Sequence, residues 1–194
     1  MKNAKKVKAL ATLAASALVV GGVVGGTLAW LTDTADPVTN TFTTSNIDID
    51  LTETTGGDQK EYKMVPGYTI EKDPTVTVEA GSEACYLFVK VEESENFDTY
   101  LSYEMAEGWT ALDDVDNVYY REVAASEDNA HFSVLKEDEV QVKDTVTQDQ
   151  MASLSDDNYP TLTFTAYASQ LYKDANEKFA PAEAWNNVNP DTQG

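Results

Sequence analysis

One histidine and one cysteine bound the chemistry open to this chain. A zinc peptidase of the usual kind sets two imidazoles on one helical face with a glutamate base beside them, in the pattern His-Glu-x-x-His. His131 stands alone, in His131-Phe-Ser-Val-Leu135, a segment that alternates like a strand. It reads as an ordinary strand or turn residue, and a site of carboxylates alone has no support in the sequence. A Ser/His/Asp triad lacks its Gly-x-Ser-x-Gly elbow. Cys85 lies in Ala84-Cys-Tyr-Leu-Phe-Val-Lys90, apolar on both faces and without an adjacent basic partner. A buried, inert thiol is expected there. Asp113-Asp-Val-Asp-Asn117 has the carboxylate density of a calcium loop but neither the central Gly nor the closing Glu of an EF-hand, so it reads as a solvated acidic turn. Trp109 and Trp185 are each isolated and read as core anchors rather than sugar-stacking platforms. No catalytic residue, cofactor or metal ligand is assigned.

The elements that must hold these side chains are short strands. Ile47-Asp-Ile-Asp-Leu51 alternates, with Ile47, Ile49 and Leu51 on one side. Pro74–Val78 alternates again, with Val76 and Val78 inward. Cys85–Val91 is the central-strand candidate, with Cys85, Leu87, Val89 and Val91 on one face and Tyr86 and Phe88 on the other. Tyr100–Met105, Val118–Val123, His131–Leu135, Val140–Val142 and Thr161–Ala168 are further strands. Turns are expected at Thr54–Asp58, Met64–Gly67, Ala80–Ser82 and Ser126–Asn129. Thr147-Gln-Asp-Gln150 has capping-box spacing for one or two helical turns. Pro181 sits early in a short helix that Trp185 should dock, and Asn186–Gly194 reads as a loose tail. Short strands between turn signals indicate an antiparallel β-sandwich with one or two short helices. The pattern alone does not separate a jelly roll from an immunoglobulin-like fold.

Before the first strand lies an export signal. Lys2, Lys5, Lys6 and Lys8 precede an apolar run from Ala9 to Val24, and Thr27-Leu28-Ala29 offers small residues at an exit. Charge, apolar run and small-residue site in that order make a secretory signal peptide, with cleavage expected after Ala29 and Trp30 as the mature N-terminus. Ala9–Leu31 would reach about 34 Å as a helix, enough to span a bilayer. The glycines between Gly21 and Gly26 weaken its last third, which favours cleavage over an anchor. No cysteine near the junction is available for lipid attachment. The organisation expected is a signal peptide at 1–29, an extended arm at 30–45, a sandwich domain at 46–186 and a tail at 187–194.

Losing four lysines with the signal leaves 9 basic against 34 acidic groups, a formal charge of −25. That balance opposes nucleic acid and anionic lipid as partners. Solubility outside the cell explains it without a specific partner, and divalent cations or a cationic polymer are the sharper alternatives. A single cysteine leaves no intrachain disulfide, so the fold must rest on its core.

Gly25-Gly-Thr-Leu-Ala-Trp-Leu-Thr-Asp33, then Asn40-Thr-Phe42 and Asn46-Ile-Asp-Ile-Asp-Leu51, resembles the start of the TasA and camelysin family. The similarity returns at Val65–Val91 and Leu162–Trp185 and is poor over Glu92–Asn158. The resemblance implies a Gram-positive secreted protein processed by the signal peptidase SipW, a jelly-roll β-sandwich, and a biofilm-matrix or surface fibre subunit. It extends to Trp30–Thr44 the role of an arm that adds a strand to a neighbouring copy, with Trp30, Leu31 and Phe42 as anchors. Asp36-Pro37 allows the plainer alternative, an arm folded back on its own sheet. The other readings are a monomeric surface binding module, or the metallopeptidase that the camelysin label suggests, which the single histidine disfavours. The expected partners are copies of the chain itself or related matrix subunits, with the membrane touched only during export.

Overall fold

The structure is a computed structural model and describes residues 46–54 and 62–189. The signal segment, the arm, most of the Thr54–Asp58 turn and the end of the tail lie outside the described residues. In chain order the elements are β1 Ile49–Glu53, β2 Thr69–Glu71, β3 Pro74–Val78, β4 Cys85–Glu93, α1 Phe97–Tyr100, β5 Leu101–Met105, β6 Thr110–Ala111, β7 Val118–Val123, β8 Ala130–Ser133, β9 Leu135–Val142, α2 Gln148–Ala152, β10 Leu162–Gln170 and α3 Pro181–Val188. Every ladder is antiparallel. The strand orders are β1-β3-β8, β2-β9-β5 and β10-β4-β7-β6.

Two of these sheets continue each other. Only Lys72 and Asp73 separate β2 from β3, and only Val134 separates β8 from β9. Across the break Lys72 N–H donates to Asp138 O at 2.8 Å and Val134 N–H to Pro74 O at 2.9 Å. The two three-stranded sheets therefore form one bent layer. The bend is built into β9, where Glu137 and Asp138 take φ of 56° and 57°, an uncommon region for residues with a Cβ. Consecutive left-handed residues inside a ladder make a bulge that turns the strand.

The layers meet through alternation. The inward side of β4 (Cys85, Leu87, Val89, Val91) packs on Val76, Val78 and Val134, and Ile47, Ile49 and Leu51 join the same cluster. From β10, Leu162, Phe164, Ala166 and Ala168 complete it. The other face of β4 carries Tyr86 and Phe88, covered by Leu171, Ala184 and Trp185. A third cluster gathers Phe97, Tyr100, Leu101, Val140 and Val142 under α2. β4 is thus central and apolar on both faces because one side meets the second sheet layer and the other meets α3, a pattern expected where both faces of a strand are covered. The antiparallel β fold read from the sequence is the fold that forms.

The helices start as their sequences dictate. Thr147 Oγ1 accepts from Gln150 N–H at 3.3 Å while Gln150 Oε1 accepts from Thr147 N–H at 2.8 Å, a complete capping box. At α3 the Glu183 carboxylate accepts from Ala180 N–H at 3.0 Å, and Ala180 offers no side chain in return. Four features differ from expectation. Phe97–Tyr100 forms a third helix, so Tyr100 ends a helix and the strand begins at Leu101. Strand β9 runs through Lys136–Glu139, a polar stretch that pattern alone leaves out. The pair Thr110–Ala111 forms β6. Helix α3 continues through Val188, so Asn186 and Asn187 are helical rather than tail. Trp185, 2% exposed, fixes that helix to the sheet, and its carbonyl accepts from Asn189 N–H at 2.8 Å.

Candidate functional site

A sandwich exposes backbone only at its sheet edges, and two edges meet on one side of this one. β1 is an end strand of its sheet and β10 an end strand of the other. Leu51, Glu53, Lys72, Pro74, Leu162 and Phe164 line an opening between them of about 250 Å³.

The direction of the β10 backbone follows from its ends. Leu171 N–H donates to Ala84 O at 3.0 Å, and Thr161 O accepts from Ser94 N–H at 3.1 Å. Odd-numbered backbone groups therefore turn toward β4, and those of Leu162, Phe164, Ala166, Ala168 and Gln170 turn outward. Among the described residues no strand pairs with that outward row. A nine-residue edge of this kind is a template for another strand. On the other side of the sandwich the chain crosses from β5 to β6, and Trp109 Nε1 donates to Ser133 O at 2.8 Å, tying the layers together.

The mouth of the seam is electrically balanced. Lys72 Nζ lies 2.5 Å from Glu53 Oε1, with side chains only 15% and 11% exposed. The same ammonium stands 5.6 Å from the Phe164 ring and 5.8 Å from that of Tyr62. Burial, with Glu53, Asp73 and Glu71 nearby, raises the pKa of the Tyr62 hydroxyl. A paired charge over an apolar floor suits the apolar side chains of a β-prone segment rather than a free anion.

The residues singled out from sequence are dispersed. His131 is exposed on β8, its Nδ1 2.9 Å from Thr77 Oγ1. Asp113–Asn117 forms the tight turn between β6 and β7, with Asp114 and Asn117 at φ of 61° and 59°. Among the described residues no three His, Cys, Asp or Glu side chains are grouped to hold a metal. Trp109 packs on the inter-layer core and Trp185 on the opposite face of β4. Thr27, Ala29, Trp30, Leu31 and Phe42, assigned to signal cleavage and the arm, lie outside the described residues.

Cys85 is fully buried, and burial pushes its thiol from the ordinary 9.0 up to about 11. A raised pKa means the folded state holds its proton longer than the unfolded chain does. The resulting stability is complete below pH 9 and is lost as pH rises toward about 11. Two pKa units correspond to roughly 2–3 kcal/mol. Urea titrations at pH 7.5 and 10.5 should show that loss in the native chain and a clearly smaller one in Cys85→Val. Tyr103, raised by burial and then by its 2.7 Å hydrogen bond to Glu93, contributes to what remains, as do Tyr62 and Tyr86, both raised first by burial.

The seam has no signature in the sequence. Alternation in Leu162–Ala168 identifies a strand, but neighbours are a property of the fold. The chain matches no protein-family profile, no curated protein and no solved structure.

Proposed function

We propose that this chain is a secreted, non-catalytic structural subunit that assembles with copies of itself into extracellular matrix or surface fibres. The proposal follows the resemblance to the TasA and camelysin family and includes its jelly-roll form. After the signal peptide is removed at Ala29, the freed arm, Trp30–Ser45, adds a strand to the next copy. The observation that carries this reading is the outward backbone row of β10 beside the edge of β1.

Several features support it. Residues 30–45 hold Trp30, Leu31, Val38, Phe42 and six threonines, types suited to strands, and no basic residue. Sixteen extended residues reach about 50 Å, longer than the roughly 30 Å of a nine-residue strand. Main-chain bonds to the β10 edge supply affinity, and the opening beside Leu51 and Phe164 receives an apolar anchor. A contact between one copy's arm and another's edge is head-to-tail and propagates unless it closes on itself. The charge of the mature chain opposes assembly at low salt, so acid or calcium favours it.

Electron microscopy of protein beginning at Trp30, beside protein lacking residues 30–44, tests the reading at neutral pH, at acid pH and with calcium. Filaments from the first and not the second are expected. Monodisperse particles from both in every condition would remove the fibre reading and leave a surface binding module.

A further inference from the structure

Arg121 is the single arginine of the chain, set among 34 acidic residues. It stands on β7 opposite Leu87, so its side chain leaves the sheet on the face that meets the second layer. Its guanidinium carbon lies 4.0 Å from the centre of the Phe132 ring and 5.4 Å from that of Trp109. Its Nε is buried and has no hydrogen-bond partner. Among the described residues no carboxylate forms an ion pair with it. That the one guanidinium has no counter-ion among the described residues, while each of five lysines holds a glutamate, calls for an explanation.

The surroundings fit a ligand. Aromatic rings take the flat side of the guanidinium and hold it in place, which leaves the planar edge for hydrogen bonds. Gly108, at φ +90°, packs against the same group: a Cβ there would stand 3.0 Å from Nη2, 3.3 Å from Cζ and 3.5 Å from Nη1. The missing side chain lets the guanidinium lie flat on the backbone, which steadies it further. Burial lowers the Arg121 pKa, so an incoming negative charge would relieve an existing cost.

We infer that Arg121, held by Trp109 and Phe132 beside Gly108, is a binding site for a carboxylate, taken end-on by Nη1 and Nη2. The carboxylate comes either from a free organic acid or from an acidic side chain of a second copy. The site depends neither on the arm nor on filament formation.

With one arginine, the Arg Nε–Hε correlation in a proton–nitrogen spectrum is one peak and needs no variant to assign. Sodium acetate should move that peak and the Trp109 indole peak along a saturable curve, and sodium chloride at equal ionic strength should not. Movement on raising protein concentration at fixed salt, without acetate, would assign the carboxylate to a second copy. Arg121→Lys keeps the charge and loses the fork, and should need at least about five times more acetate to move the Trp109 peak. A response at the same concentration would overturn the bidentate assignment. Peaks that move with neither acetate nor protein concentration would overturn the site.

Discussion

Ala166→Pro is expected to stop filament growth while leaving the fold intact. The N–H of Ala166 turns away from β4, so proline removes no bond from the ladder within the subunit. Proline is tolerated on edge strands for this reason, and the subunit's own fold should lose no more than about 1 kcal/mol. An added strand meets a different surface. It loses one donor, and a carbonyl of the incoming strand is left without its partner. Together these cost roughly 2–4 kcal/mol, which corresponds to a fall in affinity of at least about 30-fold. Thr165→Pro is the control. Its N–H turns toward β4, where Thr165 pairs with Lys90, so the substitution should destabilise the subunit itself. Light-scattering elongation rates and urea midpoints on both variants check the pair. Equal filament growth in Ala166→Pro and the native chain would rule out the β10 edge as the acceptor.

Trp185→Ala should be the most damaging single truncation on the helical side, costing about 3–5 kcal/mol. The indole lies 5.3 Å from the Phe88 ring centre and meets Tyr167 nearly edge-on at 5.1 Å. Its loss opens a cavity over the middle of β4 and removes the anchor of α3. Tyr86 Oη still donates to Phe179 O at 2.9 Å, but the surface pair Lys178–Glu122 adds little in water. Small domains are stable by roughly 5–15 kcal/mol, so this one change takes a large share. A drop of the urea midpoint with loss of helical signal before the main transition is the expected result. A midpoint within error of the native value would show that α3 contributes little to the fold.

Much of the fold is legible along the chain because two-fold alternation is a local property. Ile47, Ile49 and Leu51, the two faces of β4, and the inward residues of β10 all lie where their spacing predicts. Capping chemistry is local as well, so Thr147 and Pro181 mark real helix starts. Lys136–Glu139 is illegible for the opposite reason. Its polar residues form a bulge carried between paired stretches, because β5 pairs at Leu135 and again at Val140–Val142 while β2 pairs at Glu139–Gln141. The helical turn through Val188 is hidden too, because the helix end depends on where Trp185 docks.

By itself, the sequence determined the acidity, the absence of an intrachain disulfide and the alternation that makes strands. These are counts and spacings along one chain, and each follows from the chemistry of near neighbours. Only the tertiary structure decided which strands stand at the edges, which way the backbone of β10 turns, and that the lone arginine enters the space between the layers against Trp109 and Phe132. Those outcomes join residues far apart in sequence. Hydrogen-bond pairing between distant strands fixes them, and no local pattern encodes who the partner will be.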